Sequence, residues 1–94
     1  MNRKVYKYEL VVVDGRNICT IDAPAHAQPL SFSFQGTTPC VWMLVNPYNS
    51  NVQHQFSVVC TGHDVPHGFE FVETSHTLFR ELGLVLHLFW RAPQ

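Results

Sequence analysis

Helix-favouring residues are scarce in this sequence. Alanine stands only at Ala23, Ala25, Ala27 and Ala92, and Pro24 and Pro29 interrupt the first three. That scarcity argues against a helical bundle and favours β-structure. Charge is also scarce: charged residues make up 14% of the chain, and the formal net charge is −1 with the histidines neutral. Basic residues cluster only at Arg3, Lys4 and Lys7. Without a basic surplus, no extended nucleic-acid surface is expected beyond a local phosphate contact. No apolar run approaches the ~20 residues of a membrane-spanning helix, so no membrane partner is expected. Asn2 to Lys7 alternates polar and aromatic residues and lacks the apolar centre of a secretion signal. The three cysteines, Cys19, Cys40 and Cys60, form no even disulfide framework. They read as reduced thiols buried as small hydrophobes in a cytosolic protein.

What is present is apolar and aromatic. Hydrophobic residues make up 46% of the 94-residue chain and aromatic residues 13%, enough for a packed core. The length sets one domain, 1–94. A chain this short buries only a little over ~60% of its unfolded surface, and oligomerisation would widen its stability margin. A homo-oligomer is expected for that reason.

The alternation of residues predicts about seven strands cut by turns. Val5–Val13 sets Tyr6, Tyr8, Leu10 and Val12 on one side, then Asp14-Gly15 turns the chain into a short strand, Arg16–Asp22. The two are expected to pair as a hairpin. Two prolines make 23–29 a loop. Leu30, Phe32 and Phe34 are expected inward, with Ser31 and Ser33 outward. After a turn at 36–39, Cys40–Val45 is apolar on both faces and reads as a central strand. That places Trp42 in the core. Asn46-Pro47-Tyr48-Asn49-Ser50-Asn51 is the clearest turn in the chain. His54–Thr61 follows, with Phe56, Val58 and Cys60 on one face. Next come a strand at 69–78 carrying Phe71 and Val72 inward, with helix over Ser75–Leu82 as the alternative, and a last strand at 82–90. In that last strand Leu82, Leu84, Leu86, Leu88 and Trp90 oppose Val85, His87 and Phe89. The fold class is all-β, a small antiparallel sandwich or barrel.

The stretch Cys60-Thr61-Gly62-His63-Asp64-Val65-Pro66-His67-Gly68 carries a C-x2-H-x3-H spacing. A structural zinc site needs four ligands, and His54 or His76 would have to complete it. No Cys-x2-Cys accompanies it, and Cys60 falls on the inward face of its strand. The stretch therefore reads as a strand end and surface loop, with Gly62 supplying a tight bend, and no metal or other cofactor is expected. His87, between Val85 and Phe89, reads as a satisfied core or interface histidine. Cys40 opens a strand of Val, Trp and Leu, which favours an inert thiol over a nucleophile. No phosphate loop or diagnostic triad is present, and the chain is not expected to be an enzyme.

Tyr6-Lys7-Tyr8-Glu9-Leu10, Cys40–Asn46, Thr61-Gly62-His63 with Pro66, and Gly83–Phe89 together resemble a family of small proteins of tailed bacteriophages. That family is a domain of unknown function. Its usual Gly-Thr-Gly-His is Cys60-Thr61-Gly62-His63 here, so the position of Cys60 is not that of an indispensable ligand. The resemblance implies a phage accessory protein in the host cytoplasm and no particular reaction. The expected function is binding of a host or phage protein, as an inhibitor of a host defence protein by steric blocking. Contacts are expected from Tyr48, Asn49, His63, Asp64, His67, Trp90 and Arg91. Two other readings are an oligomer that sequesters a small signalling molecule, with Arg3, Lys4, Arg80 and Arg91 as candidate ligands of its charge, and a virion or assembly component.

Overall fold

The structure, a computed structural model, describes residues 2–11, 18–76 and 85–93. Among them are seven strands: β1 (Lys4–Glu9), β2 (Ile18–Pro24), β3 (Gln28–Gln35), β4 (Thr38–Val45), β5 (Asn51–Cys60), β6 (Glu70–His76) and β7 (Val85–Arg91). They form two antiparallel sheets, one ordered β1-β4-β3 and the other β2-β5-β7-β6. The sheets stay separate, so the fold is a sandwich and not a closed barrel.

Residues paired directly across an antiparallel ladder share a face. In the three-stranded sheet Tyr8, Val41 and Phe32 stand in one row, and Tyr6, Met43 and Pro29 in the next. In the four-stranded sheet Cys19, Phe56 and Trp90 form a row, with Ile21 and His54 beside it. These rows face each other, and Phe32, Val41, Met43, Val45, Phe56 and Leu88 are almost wholly buried between them. Each such side chain contributes about 1.5–3 kcal/mol relative to exposure.

Five expectations change. β1 and β2 do not pair with each other: β1 lies on β4, and β2 lies on β5 in the other sheet. Alternation identifies a strand but not its partner, and in a sandwich consecutive strands often change sheets. The expected Asp14-Gly15 turn lies outside the described residues. The loop expected over 23–29 shrinks to 25–27, because Pro24 and Pro29 sit on edge strands, where a missing donor is tolerated. Leu30 is 49% exposed, because the β3–β4 register shifts between Pro29 and Ser31. A second shift, between Phe71 and Glu73, packs Val72 against the core and leaves Phe71 exposed, edge-on to Phe89. Each bulge adds a residue that periodicity does not anticipate. Trp42, finally, is half-buried on the outer face of its sheet, in register with Lys7 and Ser31. The helix alternative beyond His76, and Leu82 to Leu84, lie outside the described residues.

β3 and β6 meet where the two sheets close together. There the Phe32 N–H, directed off the edge of its sheet, donates to Glu73 Oε1 at 2.8 Å. A carboxylate thus satisfies an edge donor that would otherwise be open to another strand.

Candidate functional site

Three short stretches converge at one end of the sandwich: the loop 25–27, the turn 46–50 and the end of β7. The first two are tied to each other by hydrogen bonds. Ala25 N–H donates to Ser50 C=O at 2.8 Å, and Asn49 Nδ2 donates to Ala25 C=O at 2.8 Å. The turn itself is closed by Asn49 N–H to Asn46 C=O at 3.0 Å and by Tyr48 N–H to Asn46 Oδ1 at 3.1 Å. This use of an asparagine side chain to hold a turn is why Asn-Pro-x-Asn was legible as one. The geometry lifts Tyr48 to 85% exposure.

His26, at the tip of the neighbouring loop, has φ 65°, a left-handed conformation uncommon for a residue with a Cβ. Ala27 N–H closes the bend on Pro24 C=O at 3.2 Å. The bend places the exposed imidazole between two clefts. The first, about 320 Å³, is lined by Arg3, His26, Gln28, Leu44, Val45, Asn46 and Asn49. The second, about 440 Å³, is lined by Ala25–Gln28, Val52, Trp90, Ala92 and Pro93. A third, about 310 Å³, continues past Gln28 and Trp90 to Pro29, Leu30, Phe71 and Val72. Gln28 borders all three, so they run together around the start of β3.

Trp90 connects the clefts to the core. Its ring stacks on His54 with centroids 6.3 Å apart and planes 15° from parallel. His54 is fully buried, and its Nε2 lies 3.1 Å from Pro24 C=O. A carbonyl only accepts, so Nε2 carries the proton and Nδ1 is left as an acceptor. Among the described residues neither His54 Nδ1 nor Trp90 Nε1 has a hydrogen-bond partner, although both atoms are buried.

The expected contacts thus divide. Tyr48 and Asn49 sit on the turn, and Asn49 and Trp90 line the clefts. Arg91 is exposed and borders a further depression with Gln53 and Gln55, which shares Ala92 and Pro93 with the second cleft. His63, Asp64 and His67 are exposed in the 61–69 connection and line none of these clefts. That connection is held by local bends: His63 N–H bonds Cys60 C=O at 3.1 Å with Gly62 at φ 90°, and Phe69 N–H approaches Pro66 C=O at 3.4 Å with Gly68 at φ 86°. Cys60 sits on the inner face opposite Leu86. Among the described residues no three His, Cys, Asp or Glu side chains are arranged to hold a metal ion. Arg80 lies outside the described residues.

His87, Cys40 and Cys19 are engaged or buried. His87, on the outer face, meets Thr61 Oγ1 at 2.8 Å through Nε2 and Thr74 Oγ1 at 2.7 Å through Nδ1. Both ring nitrogens are satisfied, as read from its apolar neighbours. Cys40 is buried and its thiol points to Thr38 C=O at 3.5 Å. Burial pushes the Cys19 thiol above its ordinary pKa, which disfavours the thiolate. His26 and Gln28 are the site residues that the sequence reading missed. The signal for His26 was its place in a tight loop between two prolines, where an unusual φ is admissible.

No curated protein and no solved structure matches this chain. The family model of a domain of unknown function, DUF7352, matches residues 1–94, and the chain belongs to that family.

Proposed function

We propose that the protein is a phage-encoded binding domain that works without catalysis. It covers a surface of a host protein with the end formed by Tyr48, Asn49, His26 and Trp90. Inhibition of a host defence protein by steric blocking is the mode this reading favours, in the host cytoplasm. The observation that carries it is Tyr48: an aromatic ring 85% exposed, on a turn fixed by the Asn46 side chain, beside clefts lined by Trp90 and Arg3. Tyrosine, tryptophan and arginine dominate the energetics of protein interfaces. A ring already held by a rigid turn loses little freedom on binding. The engagement of His87 by two threonine hydroxyls and the burial of Cys19 and Cys40 support the non-catalytic part.

A pull-down from host lysate tests the reading. The wild-type protein should retain a host protein that Tyr48→Ala, folded to the same extent, does not. Equal retention by both would remove this end from the interface.

The cleft volumes favour one second reading, sequestration of a small molecule. At about 320 and 440 Å³ they fall in the ~300–1,000 Å³ range of small-ligand sites. Native mass spectrometry of protein taken from its host separates the two: a retained organic mass supports sequestration, and a retained protein supports blocking.

A further inference from the structure

Among the described residues, four strands form the edges of the two sheets: β1 and β3 in one, β2 and β6 in the other. Three are blunted. β3 and β6 meet at a corner, each carries a bulge, and Glu73 takes the Phe32 N–H. β2 ends on a proline. β1 differs. It pairs with β4 from Lys4 to Glu9 without a register shift, and Lys4–Lys7 are exposed, Val5 to 55% and Tyr6 to 38%.

Two hydrogen bonds fix which backbone groups β1 turns outward. Leu10 N–H donates to Pro39 C=O at 2.9 Å, toward β4. On the far side of β4, Phe32 directs its N–H away to Glu73, so its partner Val41 turns its own groups toward Tyr8. Directions alternate along an antiparallel ladder. Tyr6, Tyr8 and Leu10 therefore bond β4, while Val5, Lys7 and Glu9 present N–H and C=O on the other edge, which no described strand pairs.

We propose that this edge pairs antiparallel with the same edge of a second copy, about a two-fold axis at Tyr6. The two three-stranded sheets then become one continuous sheet. Charge selects the register. A two-fold axis between antiparallel edges stands perpendicular to the sheet and keeps each residue on its own face, so odd positions pair only with odd and even with even. Centring on Tyr6 sets Arg3 opposite Glu9 twice over, Val5 opposite Lys7, and Lys4 opposite the ring of Tyr8. Opposite charges and cation–aromatic pairs across strands are favourable. Centring on Lys7 would set two lysines face to face, and centring on Val5 would set Arg3 against Lys7; both are repulsive. Centring on Tyr8 brings Lys7 to Glu9 but leaves Lys4, Val5 and Tyr6 with no partner in β1, whereas centring on Tyr6 pairs Lys4 to Tyr8 within the strand and reaches only Arg3 beyond it. Arg3 also lines the first cleft, so the pairing is tested by the mass of the protein alone, with no occupant of the clefts added.

Sedimentation equilibrium and light scattering of the full chain test the proposal, with four proteins. Wild type should have twice the chain mass. Lys7→Pro removes a donor that faces this edge and spares those that bond β4, and should be monomeric. Glu9→Lys sets like charges opposite Arg3 and should weaken association about tenfold. Arg3→Glu with Glu9→Lys restores opposite charges and should recover wild-type association. The charge swap uses exposed side chains, so it remains decisive if Lys7→Pro fails to fold. A wild-type monomer at every concentration overturns the proposal. So does an oligomer that Glu9→Lys leaves unchanged, or a double variant no tighter than Glu9→Lys alone.

Discussion

Two connections carry most of the polar and aromatic side chains that stand out in this sequence, and they are built differently. The turn 46–50 is bonded to a second loop, through Asn49 Nδ2 to Ala25 C=O and Ala25 N–H to Ser50 C=O, and it borders clefts. The connection 61–69 makes its backbone turns within itself, at Gly62 and Gly68, and leaves His63, Asp64 and His67 in solvent. Both are turn-rich and polar. The first is tied to a distant loop along its length, whereas the second is tied to a distant strand at its first residue, where Thr61 Oγ1 meets His87 Nε2. A recognition surface needs side chains held in fixed relation to one another, and cross-loop hydrogen bonds supply that.

The largest effect that sharpens this contrast is expected at Trp90, which joins the clefts to the core. Trp90→Ala removes the stack on His54 and should lower unfolding free energy by about 3–5 kcal/mol in denaturant titration. A loss below about 1 kcal/mol would mean that the ring is not packed as described. Next comes Asn49→Ala, which breaks the tie to Ala25 and should cost about 1 kcal/mol. The matching change in the other connection, Asp64→Ala, should stay within about 0.5 kcal/mol, and equal costs would erase the distinction. The smallest effect is expected from zinc. Added zinc or chelator should leave the melting temperature unchanged, and His63→Ala with His67→Ala should behave as wild type. A zinc-dependent rise lost in that double variant would turn the 61–69 connection into a metal site.

Much of the fold was legible because period-two alternation survives wherever strands are regular. Cys40–Val45 read as a central strand and is one, between β1 and β3. Leu86, Leu88 and Trp90 share a face against Val85, His87 and Phe89, as their spacing implied. Alternation failed at Leu30 and Phe71, where a bulge shifts the register and reverses the facing of the residues beyond it. It also failed for pairing: nothing local in β1 or β2 encodes that they join different sheets. At the site, Tyr48 and Asn49 were legible because Asn-Pro-x-Asn specifies its own turn. Their proximity to His26, Gln28 and Trp90 was not, because it arises from long-range contacts between β2, β5 and β7.

The central claim, that the Tyr48 end is the recognition surface, is tested most directly by photo-crosslinking in host cells. A photoreactive residue would replace Tyr48 in one protein and His67 in another. The account predicts one discrete adduct with a host protein from position 48 and none from position 67. An adduct from position 67 with none from position 48 would contradict it.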